Sequence, residues 1–240
     1  MASEQILEVQ VWRGDEMGKH ASYQVPRAEN QTVLDVVTYI QRKIDPTLTY
    51  RFSCRVGMCG SCAMTVNGVP RWTCRTHVSR VADEGRLRIE PLRNLPIVKD
   101  LSVEMTPFFE KQKRVGVAFQ PSANRKTDFA VINPQSQKRR AADAAIECIG
   151  CAVCFASCDV VTWNPEYAGP AALNRVWTLI NDVRDSGGTE RLAAIAGDAG
   201  CHACHSHQSC TERCPKHLAP TASIAGLKRA CASTTIRGKL

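Results

Sequence analysis

The chain has 240 residues, 44% hydrophobic and 22% charged, close to a soluble globular protein of one or two domains, which excludes a coiled coil, a low-complexity chain or extended disorder. Its 31 basic residues against 23 acidic ones leave a net charge of +8, which suits nucleic acid, an anionic membrane surface or an acidic partner without choosing among them. Thirteen cysteines are too few for a secreted disulfide scaffold, and their number is odd.

Ile6 to Trp12 alternates in the manner of a strand, and Ala21 to Val25 reads as its hairpin partner after a turn spanning Gly14 to Gly18. The opening MASEQILEVQVW has no basic segment leading into an apolar one, and no run approaches about 18 apolar residues. The expectation is a cytosolic chain that crosses no membrane by itself. Thr32 is placed to cap a helix whose apolar positions Val33, Val36, Val37, Ile40 and Ile44 keep helical spacing until Asp45-Pro46. Cys62 to Val66 runs into Asn67-Gly68, a two-residue hairpin signal, and Leu87 to Leu92 alternates again. Pro107 to Arg140 reads as a long basic surface connection. Beyond it the chain turns helical: Leu173, Val176, Trp177, Ile180 and Val183 form a stripe ended by Ser186-Gly187-Gly188, and a further helix is expected from about Thr221 to Ala230. These features give an α+β chain with domains 1–104 and 105–240.

In a reducing compartment, closely spaced cysteines are metal ligands before they are disulfides. Cys54, Cys59, Cys62 and Cys74 have gaps of four, two and eleven residues, and the first two gaps are the plant-type [2Fe-2S] spacing. Gly57 and Gly60 let the backbone curl and aim N–H groups at sulfur. Zinc held by the same four thiolates is the alternative. Cys148, Cys151, Cys154 and Cys158, with gaps of two, two and three, form the bacterial ferredoxin run, with Asp159 where proline usually follows. Cys204, Cys210 and Cys214-Pro215 fit the same template with His207 at its second ligand position. In two-cluster ferredoxins the fourth cysteine of each run serves the other cluster. Crossing the ligands gives Cys148, Cys151, Cys154 and Cys214 to a [4Fe-4S] cluster. Cys158, Cys204 and Cys210 are left for a [3Fe-4S] cluster, since its open corner lacks a thiolate. Cys201 and Cys231 are expected to be unligated, and His207 offers an imidazole, a group that can bind iron.

This arrangement resembles the iron–sulfur subunit of succinate dehydrogenase and quinol:fumarate reductase. The likeness spans nearly the whole chain, through CRVGMCGSCAMTVNG with its gap to Cys74, PIVKDL, NPEYAGPAALNR and CPKHLAP. It implies a plant-ferredoxin-like β-grasp domain followed by an α-helical ferredoxin domain. It also implies one-electron relay between the FAD of a flavoprotein subunit and a membrane quinone, with no catalytic residue in this chain. The implied partners are that flavoprotein and a membrane anchor, haem-bearing in some branches, which would hold the chain at the cytoplasmic face of a bacterial inner membrane. Trp163 and His205 match the family's quinone-site positions: an indole N–H can donate to a quinone oxygen and an imidazole can pass protons near neutral pH. Other branches place quinone in the membrane subunit. The resemblance also implies a three-iron cluster as the last station, and with it a non-coordinating His207.

Two rival readings are weaker. A zinc-binding nucleic-acid module would explain the cysteines and the charge, yet no cysteine pair is followed by a spaced histidine pair and no basic aromatic strand resembles an RNA-binding motif; no nucleic-acid partner is expected. A generic iron–sulfur subunit of another oxidoreductase would share the ferredoxin runs but not the [2Fe-2S] loop.

Overall fold

The computed structural model describes residues 6–123 and 128–240. The chain forms two compact units, Met1–Met105 with Ile149–Ser157, and Thr106–Cys148 with Cys158–Leu240. A single cut between 104 and 105 therefore overlooks the return of Ile149–Ser157 to the first unit. Long-range packing of a short segment leaves no trace in local composition.

The first unit is built on a five-stranded mixed sheet in the order β2-β1-β5-β3-β4. Its strands are β1 (Ile6–Arg13), β2 (Lys19–Pro26), β3 (Ala63–Val66), β4 (Val69–Trp72) and β5 (Arg86–Glu90). β1 and β2 form the expected hairpin, with Val9 opposite Tyr23, while β1 and β5 run parallel. The side chains of Leu7, Val9 and Val11 point inward and Ile6 points out. Over them lies α1 (Val33–Tyr39), which packs Val33, Val36 and Val37 against Leu87, Ile89 and Val25. Thr32 caps it as expected. Its hydroxyl accepts from the Asp35 N–H at 3.2 Å, and the Asp35 carboxylate accepts from the Thr32 N–H at 3.0 Å, a reciprocal box that satisfies two orphan donors. The helix widens into a π turn over Ile40–Ile44, closed by the Asp45 N–H on the Ile40 carbonyl at 2.7 Å. Asn67 and Gly68, at φ 47° and 75°, make the tight turn between β3 and β4. A short helix α2 (Val78–Val81) and the two-stranded ribbon β6 (Ile97–Lys99) and β7 (Ser102–Val103) complete the sequence-contiguous part.

Among the described residues eight further α-helices follow: α3 (Thr106–Arg114), α4 (Gln137–Ile146), α5 (Val153–Ala156), α6 (Asp159–Trp163), α7 (Pro170–Asn181), α8 (Gly188–Ile195), α9 (Ser209–Glu212) and α10 (Pro220–Ile236). α5 lies in the first unit, where Asn94 Nδ2 donates to the Phe155 carbonyl at 3.0 Å; the others lie in the second. Of the expected stripe, Leu173 and Val176 are buried on α7 and Trp177 and Ile180 are partly buried, with Leu179 buried beside them, but the helix ends at Asn181 and Val183 is half exposed. α10 is longer than expected at both ends. Asn174 on α7 donates to the Ala145 carbonyl of α4 at 3.3 Å and accepts from Ser223 of α10 at 2.9 Å, so a single buried amide ties three helices.

The stretch read as an irregular connection holds α3 and α4 at its ends. Pro107 is tolerated in a first helical turn, where its missing N–H has no partner to lose, and Ser136 caps α4 by accepting from the Arg139 N–H at 3.1 Å. Residues 124–127 of that stretch lie outside those described. Between the helices the chain is pinned: Asp185 accepts from the Gln120 N–H at 2.9 Å, and Arg191 donates to the Ala118 carbonyl at 2.7 Å and to Asp185 at 2.7 Å. The two side chains of this ion pair are 2% and 0% exposed. Among the described residues no helix is long and apolar enough to cross a membrane.

Candidate metal centres

None of the thirteen cysteines is joined in a disulfide. Among the described residues no three His, Cys, Asp or Glu side chains close on a single ion-sized point, so each group is described by its loop.

In the first unit the loop 54–62 leaves the core beside α1, to which Arg55 is tied by an ion pair with Asp35 at 2.5 Å. Backbone N–H groups point at its sulfurs. Met58 and Cys59 donate to Cys54 Sγ at 3.3 Å each, Cys54 to Cys59 Sγ at 3.5 Å, and Cys74 to Cys62 Sγ at 3.5 Å. The donors from Met58 and Val56 hold the Cys54 thiol down to about 6. Burial pushes Cys74 up to about 12, with the neighbouring Cys62 adding to it. Cys62 and Cys74 sit in the core with Leu34, Tyr50 and Trp72, while Val56 and Met58 are exposed. A loop whose N–H groups already face sulfur suits thiolates bearing negative charge, and four thiolates are the donor set that soft iron centres take.

Gly57 and Gly60 both have positive φ, 73° and 71°. At Gly60 a Cβ would lie 2.5 Å from Cys151 Cβ and 2.8 Å from Cys151 Cα, so that cradle admits no side chain. Gly60→Ala is therefore expected to cost about 1–3 kcal/mol for the backbone conformation and about as much again for overpacking. Gly68→Ala supplies the comparison, since Gly68 has a similar φ of 75° and open space around it. An anaerobic melt in which both variants unfold at one temperature would contradict the cradle.

The two ferredoxin-like runs share a backbone. Gly150 and Ala152 flank Cys151 at φ 63° and 60°; Ser206 and Gln208 flank His207 at φ 59° and 66°. Each pair is followed by a four-residue helix, α5 or α9, whose C-cap is right-handed. Three non-glycine residues in a left-handed conformation at matched positions are uncommon. The match aligns His207 with Cys151, as the spacing had done. Cys201 lies outside this pattern: it is fully buried, its Sγ 3.9 Å from that of Cys231, a pairing the sequence did not reveal. Of the cysteines set aside for the [4Fe-4S] cluster, Cys151 and Cys154 belong to the first unit and Cys148 and Cys214 to the second. Within the second unit, Glu147 and Lys216 form an ion pair at 3.2 Å, which links the segments bearing Cys148 and Cys214.

Cys158, Cys204 and Cys210 line one cavity of the second unit, together with Asp159, Tyr167, His205 and His207. Burial pushes the Cys158 thiol up, against N–H groups of Val161 and Val160 that lower it. Cys210 is likewise raised by burial, and the Thr221 hydroxyl is 3.3 Å from its sulfur. Lys228 Nζ donates to the Cys204 carbonyl at 2.7 Å. At the rim, the exposed Trp163 meets His207 edge-on at 5.8 Å between ring centroids, and His207 stacks on His205 at 5.9 Å. His207 thus stands between the two residues that the resemblance singled out. Tyr167, which the sequence reading passed over, is fully buried against this cavity.

A 2Fe-2S iron–sulfur cluster binding domain matches residues 7–110, and a 4Fe-4S dicluster domain matches residues 147–219. The fumarate reductase iron–sulfur subunit of Escherichia coli O6:H1 is 36% identical over 231 residues, covering 93% of this chain and 92% of that protein. The mitochondrial succinate dehydrogenase [ubiquinone] iron–sulfur subunit 1 of Oryza sativa subsp. japonica is 40% identical over 202 residues, 82% of this chain and 70% of that one. The chain belongs to the succinate dehydrogenase/fumarate reductase iron–sulfur subunit family. A solved chain of the Mycobacterium smegmatis Sdh1 complex in the apo form superposes with a TM-score of 0.85 at 27% identity, covering 96% of this chain and 97% of that one. Members of this iron–sulfur subunit family are parts of oxidoreductase complexes, and here the 2Fe-2S and 4Fe-4S domains occupy the mixed-sheet and helical regions respectively.

Proposed function

We propose that this iron–sulfur subunit relays electrons between the FAD of a flavoprotein subunit and a membrane quinone. Cys54, Cys59, Cys62 and Cys74 hold [2Fe-2S]; Cys148, Cys151, Cys154 and Cys214 hold [4Fe-4S]; Cys158, Cys204 and Cys210 hold [3Fe-4S]. The observation that carries this reading is the pair of matched backbones around Cys151 and His207, one offering a thiolate and the other an imidazole at the same position. The bound clusters supply one-electron transfer at graded potentials. The protein's part is to exclude water, fix the sulfurs and point N–H groups at them. In fold terms, the mixed sheet crossed by α1 is read as a plant-ferredoxin-like β-grasp, and the helical unit as an α-helical ferredoxin domain.

The exposed Val56 and Met58 of the first loop suit a flavoprotein surface, since apolar side chains at such a rim are stabilised by burial against a partner. Within the second unit, Trp163 and His205, with His207 between them, are placed to line a quinone head group: indole and imidazole N–H groups donate to its oxygens, and imidazole carries protons. A membrane anchor, haem-bearing or not, would hold the chain at the cytoplasmic face of the inner membrane. Because this reading assigns the flavin to the partner subunit, the chain alone is expected to oxidise no succinate.

Iron and acid-labile sulfide analysis with EPR of the anaerobically purified complex tests this. The expected result is reduced-state signals from [2Fe-2S] and [4Fe-4S] and an oxidised-state signal from [3Fe-4S]. Zinc without labile sulfide sinks the reading. Full iron content with no oxidised three-iron signal assigns His207 or Cys201 as a ligand.

A further inference from the structure

Tyr167 presents a buried polar group that the relay described above leaves without a task. Its side chain is fully buried, and among the described atoms its hydroxyl has no hydrogen-bond partner. The residue is firmly held. Its N–H donates to the Asn164 carbonyl at 3.0 Å, its carbonyl accepts from Lys111 Nζ at 2.8 Å, and the next N–H, of Ala168, donates to Ala199 at 2.8 Å. So fixed, the phenol forms part of the wall of the cavity lined by Cys158, Cys204 and Cys210. A buried hydroxyl without an acceptor is costly and rare, and usually marks a missing partner.

The other two sulfurs already have donors. Cys158 faces the N–H groups of Val161 and Val160. Cys210 faces the Thr221 hydroxyl, whose oxygen accepts from Thr211 at 3.1 Å and whose own proton is thereby directed to sulfur. A tyrosine hydroxyl, with an ordinary pKa of about 10, is a protonated donor at neutral pH.

We propose that the Tyr167 hydroxyl donates a hydrogen bond to the Cys204 sulfur of the cluster held by Cys158, Cys204 and Cys210, and so raises that cluster's reduction potential. The inference rests on the proposed ligand set. Its sign follows from charge. Reduction adds an electron and makes the sulfurs more negative, and a donor aimed at sulfur stabilises that state more than the oxidised one.

The test is Tyr167→Phe in the complete complex, read by potentiometric titration of the oxidised three-iron EPR signal. At the wild-type midpoint the reduced-to-oxidised ratio should fall by roughly threefold to tenfold, tenfold being about 59 mV for one electron, while the [2Fe-2S] midpoint stays in place. A midpoint unmoved in a variant with full iron and sulfide overturns the hydrogen bond. If Tyr167→Phe fails to assemble, wild-type complex grown with 3-fluorotyrosine decides. Its more acidic phenol should raise the three-iron midpoint with the [2Fe-2S] midpoint as control, and no rise overturns the proposal. A wild-type complex without the three-iron signal overturns the ligand set and this inference together, which separates that failure from the loss of the hydrogen bond alone.

Discussion

Asp185→Asn is expected to destabilise the second unit by about 3 kcal/mol or more, because it leaves the Arg191 guanidinium buried without its counter-charge. The native carboxylate accepts from Arg191 Nε at 3.1 Å and Nη2 at 2.7 Å, from the Gly187 N–H at 2.9 Å and from the Gln120 N–H at 2.9 Å. Burial alone would raise its pKa, but Arg191 and the two backbone donors outweigh this and the net shift is downward. A carboxylate lowered on folding contributes its stability in full above its unfolded pKa of about 3.9, and the contribution is lost as pH falls through the folded value. The gap between wild type and variant should therefore be full at pH 7 and narrow only below about pH 4. Anaerobic denaturant unfolding of the cluster-loaded protein at both ends of that range measures it. A gap under about 1 kcal/mol at pH 7 would show the pair to be solvated. The double change Asp185→Leu with Arg191→Met should recover most of the loss, since apolar replacements leave no stranded charge.

Cys59→Ser removes one ligand from the exposed side of the first loop. It should abolish the [2Fe-2S] EPR signal and reduce flavin-to-quinone turnover to background, while the signals assigned to the other two cysteine sets persist. Loss of all three signals from a protein that still melts cooperatively would mean that the cysteine sets do not act separately. The same measurement on Cys201→Ser should leave every signal in place, because Cys201 faces Cys231.

What could be read from the sequence was what local rules govern. Thr32 ahead of its helix and Asn67-Gly68 between apolar runs each act within a few residues, and each matches the structure. Helices α3 and α4 escaped notice because four of nine and four of ten of their residues are charged and one begins near a proline, so apolar periodicity was faint. The ends of α7 and α10 moved for a related reason: caps and tertiary packing set termini, not the hydrophobic stripe. Tyr167 was invisible as a site residue, since a tyrosine in NPEYAGP acquires a role only when the chain brings Cys204 to it. Asp185 with Arg191, and Cys201 with Cys231, are likewise pairs whose meaning lies in the fold.

The chain passes between its two units three times, at 105/106, 148/149 and 157/158. A subunit of this topology is not a pair of beads on a string. Proteolysis at the first crossing would yield a carboxy-terminal fragment that still carries Ile149–Ser157, and an amino-terminal fragment deprived of the segment that seats against Gly60. A chimaera that exchanges residues 1–105 with those of a relative must therefore carry 149–157 along, and a graft that omits it should express as a protein with an unfilled groove.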